Sequence, residues 1–374
     1  MKKVYLDNAS TTAIRPEVIQ EITKIMVEDF GNPSSTHSFG RNGKTIVELS
    51  RKSIAKHFKC TAQEIIFTSG GTEADNWILR SAVEDLKVER IITSKIEHHA
   101  VLYTVLALQE EYNIQVDYVK VNADGSLDLT HLSNLLSDEK KTLVSLMHVN
   151  NETGTILDLE RVSLICRQYN ALFHSDTVQS VGKTEIDLQK TPIDFILASA
   201  HKFHGPKGIG FAFVRKNSGL QPLLFGGEQE KGLRAGTEAV HQIAGMAKAL
   251  SISYEKLDEE RNYILELKKY LIDQLESHFP DFRINGKKDD FYNIINIILP
   301  FSSDKTSMLL FSLDMKGIAV SRGSACQSGS IKPSHVLKEM LSEEDLKLPN
   351  LRISFSHYNT KEDVDWLIES LKNI

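Results

Sequence analysis

Apolar positions follow two different spacings along the chain. Residues 15–30 place Val18, Ile22, Ile25 and Met26 at intervals of three and four, which predicts an amphipathic helix. Short β-rich runs then alternate with helical patterns; the runs are residues 64–68, 88–94, 114–121, 142–150, 171–178 and 192–200. This alternation predicts an α/β fold, with a mainly parallel sheet and helices on both of its faces.

The last third of the chain has a different pattern. Residues 238–278 read as almost continuous helix with one possible break, and strands are predicted within residues 290–299 and 350–357. A final helix begins after Thr360 as its N-cap, with one apolar face formed by Val364, Leu367, Ile368 and Leu371. We therefore expect a second, smaller α+β domain beyond a boundary near residue 255.

Composition narrows the class of protein. The 374 residues are 41% hydrophobic and 25% charged, which is ordinary for a globular protein with sizeable cores. The net charge of −6 and the lack of a basic block argue against nucleic acid or an anionic membrane as the main partner. No signal peptide or membrane-spanning run is recognisable. Three cysteines without a CxxC pair, and no HExxH, argue against a disulfide scaffold or a metal site, so we expect a cytoplasmic protein.

Two predicted strands end at residues with reactive side chains. Lys202 lies beside His201 in a glycine-rich loop, where it is either a Schiff-base lysine or an ordinary solvated lysine. Asp176 ends another apolar strand. A carboxylate there suits either a protonated pyridine nitrogen or the cap of the following helix.

Three further strand ends carry polar groups. Gly70 and Gly71 open a helix, which suits a phosphate or a plain tight turn. The segment is neither GxGxxG nor a Walker A loop, so a monophosphate fits better than a dinucleotide or ATP. His98 suits ring stacking, proton transfer or a structural role, and Asn151 follows another strand. Because ligands of such sheets bind beyond the carboxyl ends of the strands, we predict one shared site.

The surroundings of the three cysteines differ. Cys326 lies in SRGSACQSGS, residues 321–330, among polar residues and glycines, whereas a cysteine kept for packing should lie among aliphatic side chains. Cys60 and Cys166 have amphipathic or apolar neighbours, and we expect them to pack in the core. The context of Cys326 indicates a role other than packing.

The sequence resembles the cysteine desulfurases of the class V aminotransferase family, which are pyridoxal 5′-phosphate (PLP) enzymes of fold type I. The motifs that carry the resemblance are YLDNASTT (5–12), GNPSSTHSFG (31–40), FTSGGTEADN (67–76), EHHAV (97–101), MHVNNETG (147–154), HSDTVQSVGK (174–183), SAHKFHGPKGIG (199–210), GGEQEKGLRAGTEAVHQIAG (226–245), SRGSACQSGS and LRISFS (351–356). They span essentially the whole chain. The resemblance implies a large PLP-binding domain at residues 14–255, with a mostly parallel seven-stranded sheet between helices. Residues 1–13 and 256–374 would form the small domain that carries Cys326.

The resemblance also implies roles for individual residues. Lys202, Cys326 and His98 would be catalytic, with Lys202 bonded to PLP, His98 over its ring and Cys326 accepting sulfur from L-cysteine as a persulfide. The remaining cofactor-binding residues would be Gly71, Thr72, Asn151, Asp176, Gln179, Ser199, His201 and Thr237, and the substrate would be bound by Asn8, Asn151 and Arg352. Thr237 would reach the cofactor phosphate of a neighbouring subunit, so the resemblance implies a homodimer.

The Cys326 segment resembles the long-loop group, which includes housekeeping iron–sulfur and nitrogen-fixation desulfurases. Arg322 stands where a serine is more usual, and RISFSHYN lacks a second arginine that the family often has. The chain ends at Ile374 without the longer tail of the iron–sulfur enzymes, so both an iron–sulfur scaffold protein and a tRNA thiolase are expected sulfur acceptors. Two alternatives stay open: a selenocysteine lyase or other fold-type I PLP enzyme, and a non-catalytic binding module of the same fold.

Overall fold

The strands form three sheets in this computed structural model, which describes residues 2–322 and 334–374. The strands are β1 (Val4–Tyr5), β2 (Ile65–Thr68), β3 (Arg90–Ser94), β4 (Gln115–Val119), β5 (Thr142–Ser145), β6 (Leu172–Asp176), β7 (Phe195–Ser199), β8 (Gly210–Val214), β9 (Arg283–Ile284), β10 (Ile294–Ile298), β11 (Ile318–Ala319) and β12 (Asn350–Ser354). The helices are α1 (Pro16–Glu28), α2 (Ser38–His57), α3 (Gly71–Glu84), α4 (His99–Tyr112), α5 (Leu129–Leu135), α6 (Leu159–Gln168), α7 (Val240–Glu255), α8 (Leu257–His278), α9 (Leu309–Met315), α10 (His335–Lys338) and α11 (Lys361–Lys372).

The main sheet has seven strands within the described residues, in the order β2-β8-β7-β6-β5-β3-β4. Only β8 among these runs antiparallel to its neighbours, β2 and β7, and the other neighbouring pairs are parallel. Each of the six β-rich runs between residues 64 and 200 supplies one strand. The predicted α/β fold with a mostly parallel sheet is confirmed.

Successive residues of the main sheet face opposite helix layers. Ile196 and Ala198 of β7 pack in one apolar cluster with α1, α2, α6 and α7. Phe195 and Leu197 of the same strand pack in a second cluster with α3 and α4. Because side chains alternate along a strand, this division shows that the sheet is covered on both faces, which leaves its edge at the strand ends for the site.

The rest of the chain forms a separate apolar cluster. β10 pairs antiparallel with β12 and β9, and α8, α9 and α11 pack against this sheet. The N-terminal strand β1 pairs with β11 and adds Val4 and Leu6 to the same cluster. The predicted strands in residues 290–299 and 350–357 are thus confirmed.

The predicted helices form with small differences. The long helical stretch breaks at Lys256, between α7 and α8. Thr360 caps α11, where the Asp363 carboxylate accepts the Thr360 N–H at 3.3 Å. In α1, Val18 and Ile25 are buried, but Met26 is 58% exposed, so the apolar face is narrower than its spacing indicated. None of the helices in the described part of the chain is long and apolar enough to cross a membrane.

Candidate active site

A cavity of about 240 Å³ lies beyond the carboxyl ends of β2, β3, β5, β6 and β7. The predicted site residues that line it are Gly71, Thr72, His98, Asn151, Asp176, Gln179, Ser199, His201, Lys202 and Arg352. They come from segments almost three hundred residues apart at the extremes. The parallel arrangement brings the strand ends to one edge of the sheet, as the sequence pattern predicts.

Lys202 follows β7 in a short 3₁₀ turn, residues Ala200–Lys202. Its Nζ donates to the backbone carbonyl of Ala9 at 2.7 Å and to that of Ser10 at 2.9 Å. The N-terminal segment therefore holds this amine at the cavity. An amine in this position is suited to form a Schiff base with a carbonyl compound in the cavity.

Asp176, at the end of β6, is 6% exposed. Its Oδ1 accepts the backbone N–H of Val178 at 2.9 Å, so the residue also fixes the following turn. Burial raises the pKa of Asp176, and nearby His98, the Val178 N–H and Lys202 partly offset the effect. A buried carboxylate of this kind is stabilised by a cationic group beside it.

Two histidines border the cavity. His98 is the N-cap of α4, where its Nδ1 accepts the N–H of Ala100 at 3.2 Å, and burial lowers its pKa. His201 pairs with the Thr11 hydroxyl at 3.1 Å, and burial followed by the charge of Lys202 lowers its pKa to about 4. His201 is therefore neutral near pH 7 in the ligand-free protein.

The glycine turn before α3 provides a close backbone approach. Gly70 has φ +155°, and a Cβ on Gly71 would lie 2.8 Å from Cγ2 of Val178. Glycine is therefore needed at this helix start, whose free N–H groups and Thr72 hydroxyl are suited to bind a phosphate. Ser199 and His201 approach the same cavity from β7.

Arg352 reaches the cavity from β12 and is 1% exposed. Its guanidinium donates to Asp7 at 2.7 Å, to the Ser10 hydroxyl at 2.6 Å and to the backbone carbonyl of Asn151 at 2.8 Å. The backbone of Arg352 also pairs with Ser321, the first residue of the 321–330 segment that contains Cys326. The arginine is held rigidly where its fork can bind a carboxylate.

Two of the predicted residues do not line the cavity. The amide of Asn8 donates to the Ser354 carbonyl at 2.9 Å and to Asn359 at 3.2 Å, so it holds the N-terminal segment against β12. Thr237 lines two other cavities, of about 70 Å³ and about 350 Å³. Cys326 lies outside the described residues. Cys166, which was predicted to pack in the core, is 1% exposed there, and burial raises the pKa of its thiol.

Sequence reasoning missed three buried ionisable residues at this site. Asp75 lines the cavity, and burial together with the charges of Asp176 and Glu97 raises its pKa well above its usual range. Burial raises the pKa of Glu97 to about 8 and lowers that of Lys183 to about 7. Asp75 is three residues after Thr72 on one helix, a spacing that places both on the same face and was the available signal.

These features fit PLP in charge and shape. The cavity offers an amine at Lys202 for the aldehyde, a buried carboxylate at Asp176 for a protonated ring nitrogen, and a helix N-terminus at Gly71 for the phosphate. Within residues 2–322 and 334–374, no group of three or more His, Cys, Asp or Glu side chains could hold a metal ion. The amine, the buried carboxylate and the helix N-terminus are therefore suited to PLP.

Comparison with known proteins agrees with this geometry. A cysteine desulfurase IscS of Clostridium botulinum is 40% identical over 376 residues, covering 100% of this chain and 94% of that protein. A solved NifS-like protein has a TM-score of 0.91 and 36% identity over 100% of this chain and 99% of its own. A structure of SspA in complex with cysteine has a TM-score of 0.82 and 28% identity, covering 96% and 100% of the two chains. The aminotransferase class-V family matches residues 4–367. The chain belongs to the aminotransferase class-V family.

Proposed function

We propose that the protein is a PLP-dependent cysteine desulfurase. It converts L-cysteine to L-alanine, with the sulfur transferred to Cys326 as a persulfide. The carbon–sulfur bond of the substrate breaks and a sulfur–sulfur bond forms. The two thiols together give up one proton, and the substrate carbon gains it. The observation that carries the proposal is the meeting of Lys202, Asp176 and His98 in one cavity beside a glycine-opened helix.

The cofactor would be held by residues of the main sheet. Lys202 would bond to it covalently, Asp176 would pair with the ring nitrogen, and His98 would lie over the ring. Gln179 would donate to the phenolic oxygen, and the phosphate would be bound by Gly71, Thr72, Ser199 and His201. When bound, PLP supplies an electron sink for the electron pair left on the substrate Cα.

The substrate would be held and deprotonated by residues on either side of the cavity. Arg352 and Asn151 would bind its carboxylate, an assignment supported by the buried, preorganised fork of Arg352. The Lys202 amine would remove the Cα proton and return it, since it is a base within the cavity. His98 would accept the proton that Cys326 gives up, since burial lowers the pKa of His98 and a neutral ring accepts protons.

Cys326 would be the sulfur acceptor, and it must react as a thiolate. Support comes from the described residues on both sides of it. Ser321 pairs with Arg352 at the cavity, and the Ser334 hydroxyl donates to the buried Glu152 carboxylate. His335 also pairs with the backbone carbonyl of Glu97 at 2.8 Å. Both ends of the segment are therefore attached to elements that build the site.

The organisation of the chain and its partners are part of the proposal. Residues 14–255 would be the PLP-binding domain, and residues 1–13 and 256–374 the small domain. The apolar clusters support this division, because one contains only residues from 4–6 and 264–371. A cytoplasmic homodimer that passes sulfur to an iron–sulfur scaffold or a tRNA thiolase stays the expected context.

The test is a single turnover with L-cysteine, followed by intact protein mass and an assay for alanine. Wild type is expected to gain one sulfur atom and release alanine, and Cys326→Ala to do neither. Cys166→Ala, which removes a buried thiol, is the matched control and is expected to behave as wild type. Equal alanine from Cys326→Ala would contradict the role of Cys326. A strong preference for selenocysteine in the same assay would favour the lyase alternative.

A further inference from the structure

Lys183 is a buried amine that the proposed chemistry does not use. It is 8% exposed and lines a second cavity of about 420 Å³. A buried amine costs free energy unless it is paired, so its position calls for a specific reason. Its Nζ donates a hydrogen bond to Oε1 of Gln179 at 3.5 Å.

The two residues are connected by a rigid turn. The N–H of Val181 donates to the Thr177 carbonyl at 2.9 Å, and that of Thr184 donates to the Ser180 carbonyl at 3.0 Å. These bonds close the turn, and the side chains of Gln179 and Lys183 meet on one side of it. The Thr177 hydroxyl ties the turn to β7 by donating to the Leu197 carbonyl at 2.6 Å.

The contact determines which end of the Gln179 amide faces the cavity. A lysine amine has N–H groups to donate, so it selects the oxygen of a neighbouring amide. The opposite end of the amide then points away, and its Nε2 donates to the Ala9 carbonyl at 2.9 Å. Lys202 donates to the same carbonyl, so the Gln179 nitrogen lies beside the reactive amine.

We propose that Lys183 is a positioning residue that holds the Gln179 amide with its nitrogen toward the active-site cavity. The inference rests on the proposed function, since a donor at this place serves the phenolic oxygen of PLP. If the amide turned over, its oxygen would face the phenolic oxygen and repel it. The charge of Lys183 is not required, because both the amine and the ammonium donate N–H groups.

The test is the pH midpoint at which the visible absorption band of the bound cofactor changes. A hydrogen-bond donor at the phenolic oxygen of PLP makes the nitrogen that joins Lys202 to the cofactor less basic. Losing this donor therefore raises the pH midpoint of the absorption change. Lys183→Met is expected to raise the midpoint by about half a unit to one unit. Methionine fills the space of the lysine stem without a polar atom, so the variant is expected to fold.

Lys268→Met is the matched control. Lys268 is also buried and lines the second cavity, but its Nζ donates to the carbonyls of Asp290 and Phe291 rather than to Gln179. Its replacement is expected to leave the midpoint unchanged. Lys183→Arg keeps donors at the site and is expected to hold the wild-type midpoint, whereas a shift as large as that of methionine would overturn the proposal.

A second background separates positioning from charge. In Gln179→Ala, Lys183→Met is expected to shift the midpoint by less than about 0.2 unit, because the amide that it orients is gone. An equal shift in both backgrounds, or none in either, would overturn the proposal. A wild-type protein without a cofactor absorption band would contradict the proposed function itself. A normal band whose pH midpoint does not change in Lys183→Met would contradict only this inference.

Discussion

At the scale of single residues, the site concentrates buried carboxyl groups. Asp75, Glu97 and Asp176 are all less than 10% exposed. The charge of Asp176 raises the pKa of both Asp75 and Glu97, and the charge of Glu97 raises the pKa of Asp75. Only Asp176 among them has both a backbone N–H donor and nearby Lys202 and His98 side chains that lower its pKa. Asp176 is therefore the carboxyl group best suited to hold a cationic ring.

This difference predicts opposite outcomes for two isosteric changes. Asp176→Asn removes the charge that would balance the ring nitrogen, and we expect kcat to fall by about a hundredfold or more. Asp75→Asn replaces a carboxyl group that burial already keeps protonated, so kcat is expected to change by less than about threefold. Steady-state kinetics with L-cysteine measure both. Equal losses in the two variants would show that the carboxyl groups act as a unit.

Glu97 predicts a pH dependence of stability. Its pKa is raised from 4.5 to about 8 in the folded protein, so between these values the folded state holds a proton that the unfolded state lacks. The free energy of unfolding should therefore fall as the pH rises through this window. Glu97→Gln removes this contribution, which is up to about 5 kcal/mol. Urea unfolding of both cofactor-free proteins at several pH values measures it, and parallel curves would contradict the assignment.

At the scale of elements, the strand ends and the turns after them build most of the site. This part was predictable, because alternating strands and helices force the carboxyl ends of parallel strands to one edge. Burial and pairing were not predictable from such a pattern. Lys183 reads as an ordinary lysine in HSDTVQSVGK, and only the folded turn shows that its amine faces Gln179. Asn8 was assigned through resemblance, whereas its amide binds Ser354.

The glycine turn of α3 gives a prediction at this scale. Gly71→Ala would place a Cβ 2.8 Å from Val178, next to Asp176 and Gln179. Gly245→Ala would place one 2.5 Å from Ile22, between α1 and α7 and away from the cavity. Both are expected to lower the free energy of unfolding by about 1–3 kcal/mol. Only Gly71→Ala should weaken PLP binding to the cofactor-free protein, by about tenfold; equal binding in both would contradict the role of this turn.

At the scale of the whole molecule, the N-terminal segment connects the two parts of the chain. Val4 and Leu6 pack with α8 and α11, while the carbonyls of Ala9 and Ser10 accept hydrogen bonds from Lys202. Asp7 binds Arg352 from the same segment. The site therefore depends on three parts of the chain far apart in sequence, and a local motif could not have revealed how they meet.

The proposed homodimer predicts a complementation between two impaired variants. Lys202→Ala lacks the reactive amine, and Thr237→Val lacks the hydroxyl that would serve the partner's phosphate. In a mixed dimer, one site combines Lys202 of one subunit with Thr237 of the other and is intact. Mixing the two variants under subunit exchange should therefore restore desulfurase activity above that of either alone. No gain, with mixed dimers verified by mass, would place Thr237 outside the partner's site.

The most direct test of the account is to identify the lysine that holds PLP. The wild-type holoenzyme is reduced with borohydride, which makes the bond to the cofactor permanent, and its peptides are sequenced by mass spectrometry. We expect the cofactor on Lys202, and no labelled peptide from Lys202→Ala. Burial and the charge of Lys202 lower the pKa of Lys183 to about 7, so Lys183 is a competing amine near Lys202. Label on Lys183, or on no lysine at all, would contradict the assignment of this cavity as the PLP site.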